Sequence, residues 1–205
     1  MKFIVLLHNF KRSKMKKIGI LVTAIVFLTM SFVSPVKKKL KVDVQNSTIV
    51  WKGYKPTGSH TGTINLASGS LVLEGATLIG GSFIVDMATI EDSEDNKRLE
   101  GHLRSADFFE IEKYVFSKFE ITNSNTNDGK SFITGNMTIK DVTKEISFEG
   151  TISESDSTIT LISEKFQINR ADFNVKFKSK TFFNDLKEKY INDEFDMQVT
   201  IVAQK

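Results

Sequence analysis

The stretch GGSFIVDMATIEDSEDNKRLEGHLRSADFFEIEKYVFSKFEI occupies residues 80–121. It opens on a strand, breaks at a polar and charged segment, and enters a short helix carrying His102 and Arg104. A Phe108-Phe109 step then leads into a second strand, where Val115, Ser117, Phe119 and Ile121 stand on one parity and Phe116, Lys118 and Glu120 on the other. Period-two alternation of this kind marks a strand with one face in the core and one in water.

The same pattern recurs on both sides. Ile49, Trp51 and Gly53 oppose Val50, Lys52 and Tyr54; Leu71 and Leu73 oppose Val72 and Glu74. Ile133, Gly135, Met137 and Ile139 share a parity, as do Ile146, Phe148, Gly150 and Ile152, and finally Phe195, Met197, Val199 and Ile201. Turn signals separate the runs at Ala67-Ser68-Gly69, Glu74-Gly75, Asn127-Asp128-Gly129 and 153–157, and Asp128-Gly129 between two alternating runs predicts a hairpin. Only two segments read as helical, about 95–103 and 184–191, where Leu186 and Tyr190 lie one turn apart. The two prolines, Pro35 and Pro56, leave the strands uninterrupted. Roughly eight to ten strands result, and about eight closing on themselves leave an interior just wide enough for packed side chains or one ligand. The fold class is all-β: a sheet this large either splits into a sandwich or closes, and the features together suggest an antiparallel barrel of about eight strands with one or two short helices.

Ahead of the barrel, residues 18–33 (IGILVTAIVFLTMSFV) are apolar and follow Met15-Lys16-Lys17. A basic segment and then a short apolar one is the pattern of a signal peptide, and about 20 apolar residues are usual for a permanent span. The expected organisation is a leader at 1–34, cleaved or retained as an anchor, a linker at 35–43 and the barrel at 44–205. The segment before Met15 is an odd start to a leader, which makes Met15 a second candidate start. Export implies a periplasmic protein.

Residues 1–39 hold nine of the 28 basic residues and no acid, so residues 40–205 carry 19 basic against 25 acidic residues, a net of −6. The positive total belongs to the leader and gives no ground for a nucleic-acid surface. Cysteine is absent, which rules out disulfides and a thiol-linked lipid anchor. The domain is held by core burial, for which a chain of this length suffices.

Thirteen of the 17 Phe follow residue 40. Phe carries large apolar area without a polar tip. Either these rings fill the core of a barrel that serves as a structural or interaction module of the cell envelope, or some line a tunnel in a barrel that carries or sequesters a hydrocarbon; Trp51, Phe83, Phe119, Phe148 and Phe166 are the candidates for the tunnel. Phe148 beside Gly150 on one inward parity would leave room.

TGSHTGTI at 57–64, GGSFIVDMATIED at 80–92, LEGHLRSADFF at 99–109, GNMTIKDVTKEISF at 135–148 and INRADFNV at 168–175 occur in this order. The set resembles the YceI-like, polyisoprenoid-binding family of exported proteins over about 44–203. That resemblance implies a lipocalin-like barrel with a long isoprenoid-type lipid inside, generally periplasmic and without established catalytic activity. The partner implied is such a lipid. A homodimer is compatible with the chain, which shows no interface signature.

Other chemistry is thinly represented. After the leader only His60 and His102 remain, and with a carboxylate such as Asp107 they follow no zinc-ligand spacing, so no metal or other cofactor is expected. Ser105, His102 and Asp107 lie within six residues, without the strand-to-helix elbow or oxyanion loop a hydrolase needs. The expectation is therefore not an enzyme. Two Arg/Asp/Phe corners, Arg104 to Phe108 and Arg170 to Phe173, read in two ways. Arg and Asp hold a barrel-end turn while Phe plugs the core, or Arg104, with His102 and His60, meets a polar head at the mouth.

Overall fold

The computed structural model describes residues 36–205; the leader and both candidate starts lie outside them. The described strands are β1 (Lys37–Lys41), β2 (Thr48–Lys55), β3 (Gly58–Glu74), β4 (Thr77–Asp92), β5 (Phe116–Asn127), β6 (Lys130–Ile139), β7 (Val142–Glu154), β8 (Thr158–Ser163), β9 (Phe166–Asn169) and β10 (Glu194–Gln204), with helix α1 (Lys97–Arg104) between β4 and β5. Every pairing between these strands is antiparallel. The ring runs β3-β2-β10-β8-β7-β6-β5-β4 and closes through β4 on β3, an eight-stranded barrel. Two short strands complete its wall. β1 takes the flank of β3 beyond the reach of β2, and β9 the flank of β10 beyond β8. Closure leaves the ring itself without a free edge.

Alternation set the faces. Ser117, Phe119 and Ile121 of β5 are buried between exposed Phe116 and Glu120. Asp128 and Gly129 both adopt positive φ, 50° and 79°, as a two-residue hairpin of the predicted kind requires. Lys140 and Asp141 do the same in the β6–β7 turn without a glycine, which the sequence reading missed.

Three expectations are corrected. Within the expected linker at 35–43, residues 37–41 are strand: β1 pairs Lys37 with Glu74 through Lys41 with Ser70, and buries Leu40 because its apolar side chain faces the interior. Ala67-Ser68-Gly69 is not a turn but lies within β3, where the register with β4 shifts between Leu66 and Ser68. A Cβ on Gly69 would come 3.0 Å from Val42 and 3.1 Å from Phe83, so this glycine lets the bulged strand bend tightly over the core. Residues 184–191 form only a 3-10 turn at Lys187–Lys189: Leu186 offers no capping hydrogen bond, Lys187 has φ 48°, and the turn buries nothing. Without an apolar face to bury, so short a segment gains too little to propagate as an α-helix.

The antiparallel order gathers the β2–β3 turn, α1, the β6–β7 turn and the long β9–β10 connection at one end. The opposite end is filled. Leu40, Leu71, Leu73, Leu78, Ile133 and Ile159 are each at most 4% exposed and pack into one cluster.

Candidate functional site

Above that plug the barrel is hollow. A cavity of about 860 Å³, lined mainly by apolar side chains, extends to the end that carries α1. Its size lies within the range of pockets that hold small organic ligands. The barrel is therefore neither packed throughout nor open at both ends.

Trp51, Phe83, Phe119, Phe148 and Phe166 all line this cavity. Four of the rings form a continuous series. Phe83 stacks near Phe119 at 6.4 Å, Phe119 meets Phe148 at 5.7 Å, and Phe148 stacks on Phe166 at 4.5 Å. Phe119 is on β5 and Phe148 on β7, so one ring must cross the intervening β6. Gly135 permits it: a Cβ there would lie 2.5 Å from Phe119 Cζ and 2.5 Å from the Glu120 carbonyl oxygen. Gly150 is equally occupied, since its Cβ would stand 2.7 Å from the Ile162 carbonyl oxygen. Neither glycine leaves room for a guest. Each admits a neighbour, which corrects the reading of Gly150 as space beside Phe148.

His60 and His102 both reach the cavity near its mouth. His102, on the last turn of α1, lies edge-on to Phe177 at 4.5 Å and Phe108 at 5.2 Å, with Nε2 3.4 Å from Asp107. Ser105 donates its hydroxyl to the His102 carbonyl oxygen at 2.8 Å, so it caps the helix instead of facing the imidazole. The three do not form a hydrolytic triad.

Arg104 does not line the cavity. It donates to the Ile90 carbonyl oxygen at 2.6 Å and lies 3.6 Å from buried Glu100, fastening α1 to β4. Its placement as a mouth residue is corrected: at i, i+4 from Glu100 its side chain runs along the helix towards β4.

Arg170 is 3% exposed and donates to the carbonyl oxygens of Val175 at 2.7 Å, Ile191 at 3.0 Å and Asn192 at 3.0 Å, with Asp193 at 3.2 Å. Burial draws its pKa below the usual guanidinium value, and Asp193 acts in the other direction. The acids of the two corners are not the partners of their arginines. Asp172 is exposed, and Arg104 uses Glu100 in place of Asp107.

His60 Nδ1 lies 3.4 Å from Asp92 Oδ1, an ion pair when His60 is protonated; both are buried atoms without a hydrogen-bond partner. Glu94 joins them in a group whose ligand atoms all lie within 4.8 Å, the set among the described residues that could hold a divalent ion. His102 and Asp107 are not part of it.

The rim also holds residues that the sequence reading did not select. Lys55, Arg98, Lys178 and Lys189 line the cavity, where Glu188 is the one acidic lining residue. Of these, only Lys178 falls in the regular Lys-x-Lys-x-Lys pattern at 176–180.

The YceI-like domain model matches residues 40–203. Curated relatives in Pseudomonas putida, named UPF0312 protein, are 28% identical over 120 residues, 56% of this chain; the match covers 61% of their own length. Among solved structures, BcnA of Burkholderia cenocepacia superposes with a TM-score of 0.67 at 19% identity, covering 79% of this chain and 99% of that one. A polyisoprenoid-binding domain from Saccharophagus degradans, implicated in plant cell wall breakdown, gives 0.61 at 14%, covering 80% and 97%. At such identities the likeness concerns the fold.

Proposed function

Because this chain belongs to the YceI-like domain family, we propose that it is a non-enzymatic carrier or sequestering protein for an isoprenoid-like or other long-chain lipid. The observation that carries this reading is the phenylalanine-lined cavity of about 860 Å³ above a filled base. The polyisoprenoid-binding domain of Saccharophagus degradans, which has the same fold, supports it.

Magnitudes assign the tail the larger share of affinity. Burying hydrocarbon yields about 0.8 kcal/mol per methylene, so a tail of about twenty carbons approaches 16 kcal/mol gross. A hydrogen bond to a charged group nets about 1.5–3 kcal/mol. Ordering and association costs then remove several kcal/mol or more. The mouth residues tune selectivity; the cavity sets affinity and tolerates related lipids. The basic-then-apolar leader supports export to the periplasm.

The test is solvent extraction and mass spectrometry of the purified protein. A long-chain lipid in stoichiometric amount is expected. Empty protein that also fails to take up polyprenyl lipid from detergent sinks the proposal.

A further inference from the structure

We infer that the connection at 176–191 is a docking rim that seats the cavity mouth on an anionic phospholipid bilayer. The inference rests on the carrier reading, since a mouth held against a bilayer is useful when lipid passes through it.

Charge singles this segment out. Residues 176–191 hold five lysines against two acids, a net of +3, while the rest of 40–205 holds 14 basic against 23 acidic residues, a net of −9. Phe182 and Phe183 at its tip are 38% and 48% exposed. Lys176 Nζ lies 5.0 Å from the Phe182 ring centroid, so apolar and cationic groups share one patch. Aromatic rings at the headgroup level, flanked by lysines, suit the boundary of a negatively charged membrane.

The exposure is not slack. Arg170 clamps both ends of the segment through Val175, Ile191 and Asn192. Thr181 donates its backbone N–H at 3.2 Å and its hydroxyl at 2.8 Å to Asp193 Oδ2. Phe182 and Phe183 each donate a backbone N–H to the carbonyl oxygen of fully buried Ser179, at 3.2 and 3.0 Å. The backbone is thus held in a turn that presents two phenylalanines outward. Phe177, Lys178 and Lys189 of the same segment line the cavity, which places the patch on the lip of the mouth.

Co-sedimentation of the full-chain protein with phosphatidylcholine vesicles, with and without phosphatidylglycerol, tests this. Binding is expected only with the anionic lipid, falling as salt rises. The pair Phe182→Ser with Phe183→Ser, and separately the triple Lys176→Gln, Lys180→Gln, Lys187→Gln, should each weaken it roughly tenfold or more, with the thermal midpoint and extractable lipid unchanged. Phe132→Ser, which removes an equally exposed ring near the closed end, should change nothing. The inference is overturned if the wild type ignores anionic vesicles, or if both loop variants sediment like the wild type. Docking by a protein that yields no extractable lipid and takes up no polyprenyl lipid from detergent would sink the carrier reading alone; extractable lipid without docking would sink this one alone.

Discussion

The guanidinium of Arg170 lies 5.4 Å from the ring centroid of Phe108, so the second Arg/Asp/Phe corner rests on the first. Phe108 also touches His102 and Phe177 at the cavity mouth. A cation buried for structural reasons therefore forms part of the floor on which the mouth residues stand.

Arg170→Ala should cost about 3–5 kcal/mol, because it leaves Asp193 buried without its partner. The melting temperature should fall by roughly 10 °C or more. Arg104→Ala should cost less, about 1–2 kcal/mol, since Glu100 keeps Lys97 at 3.2 Å. Lipid retained per folded molecule should not change in the Arg104 variant; selective loss of anionic lipids there would restore a head-group role.

A fully packed phenylalanine and a cavity-lining one should behave differently. Phe173 is 1% exposed and packs with Ile139 and Ile168, so Phe173→Ala should cost about 3–5 kcal/mol. Phe166→Ala should cost the lipid-free barrel clearly less, because that ring borders open space. Urea denaturation of both variants without lipid measures the difference, and equal costs would contradict a hollow interior.

Blocking the cavity requires a position with free space in front of it. Gly135→Phe and Gly150→Phe meet backbone oxygens and should not fold. Val85→Phe and Val199→Phe extend into the cavity from β4 and β10 and should fold at a cost of about 1–3 kcal/mol. Both should reduce co-purifying lipid, read by mass spectrometry. Folded variants with undiminished lipid would place the tail elsewhere.

Acid should weaken the fold through Asp196. Burial alone would raise its pKa, but the Tyr54 hydroxyl at 2.6 Å and the Gln167 amide at 3.0 Å hold it below the usual carboxylate value. A carboxyl group depressed in the folded state contributes stability above its unfolded value of about 3.9, and loses it as pH falls through the folded value. Stability should therefore drop below about pH 4, and Asp196→Asn, weaker at neutral pH, should show a shallower decline. Chemical denaturation across that range is the measurement.

Export predicts a mature N-terminus between Phe32 and Lys37, which leaves β1 whole. Sequencing the purified protein decides it: an intact Met1 or Met15 in a soluble cytoplasmic fraction would exclude export.

Much of this molecule is local and can be read residue by residue. Alternation put Trp51, Phe119, Phe148 and Met197 on inward faces because side chains of a strand point to opposite sides in turn. Asp128-Gly129 specified its hairpin, and the only described α-helix falls where the charged break and its periodicity placed it. Strand number left a sandwich or a closed ring of about eight strands, and the pairing of β4 with β3 closes it.

Tertiary structure decided what lies at each depth. Period two reports the face of a strand but not the distance along the barrel axis, so the sequence could not tell the aliphatic plug of Leu71 and Ile133 from the hollow beside Phe148. The partners of Arg170 lie up to 23 residues away, at Val175, Ile191, Asn192 and Asp193, and no local spacing encodes them. Gly150 read as vacant space beside Phe148, but the Ile162 carbonyl oxygen of the neighbouring strand already stands where its Cβ would go. In each case the outcome depends on which strands the closed ring brings together, a property of the whole chain and not of any short stretch.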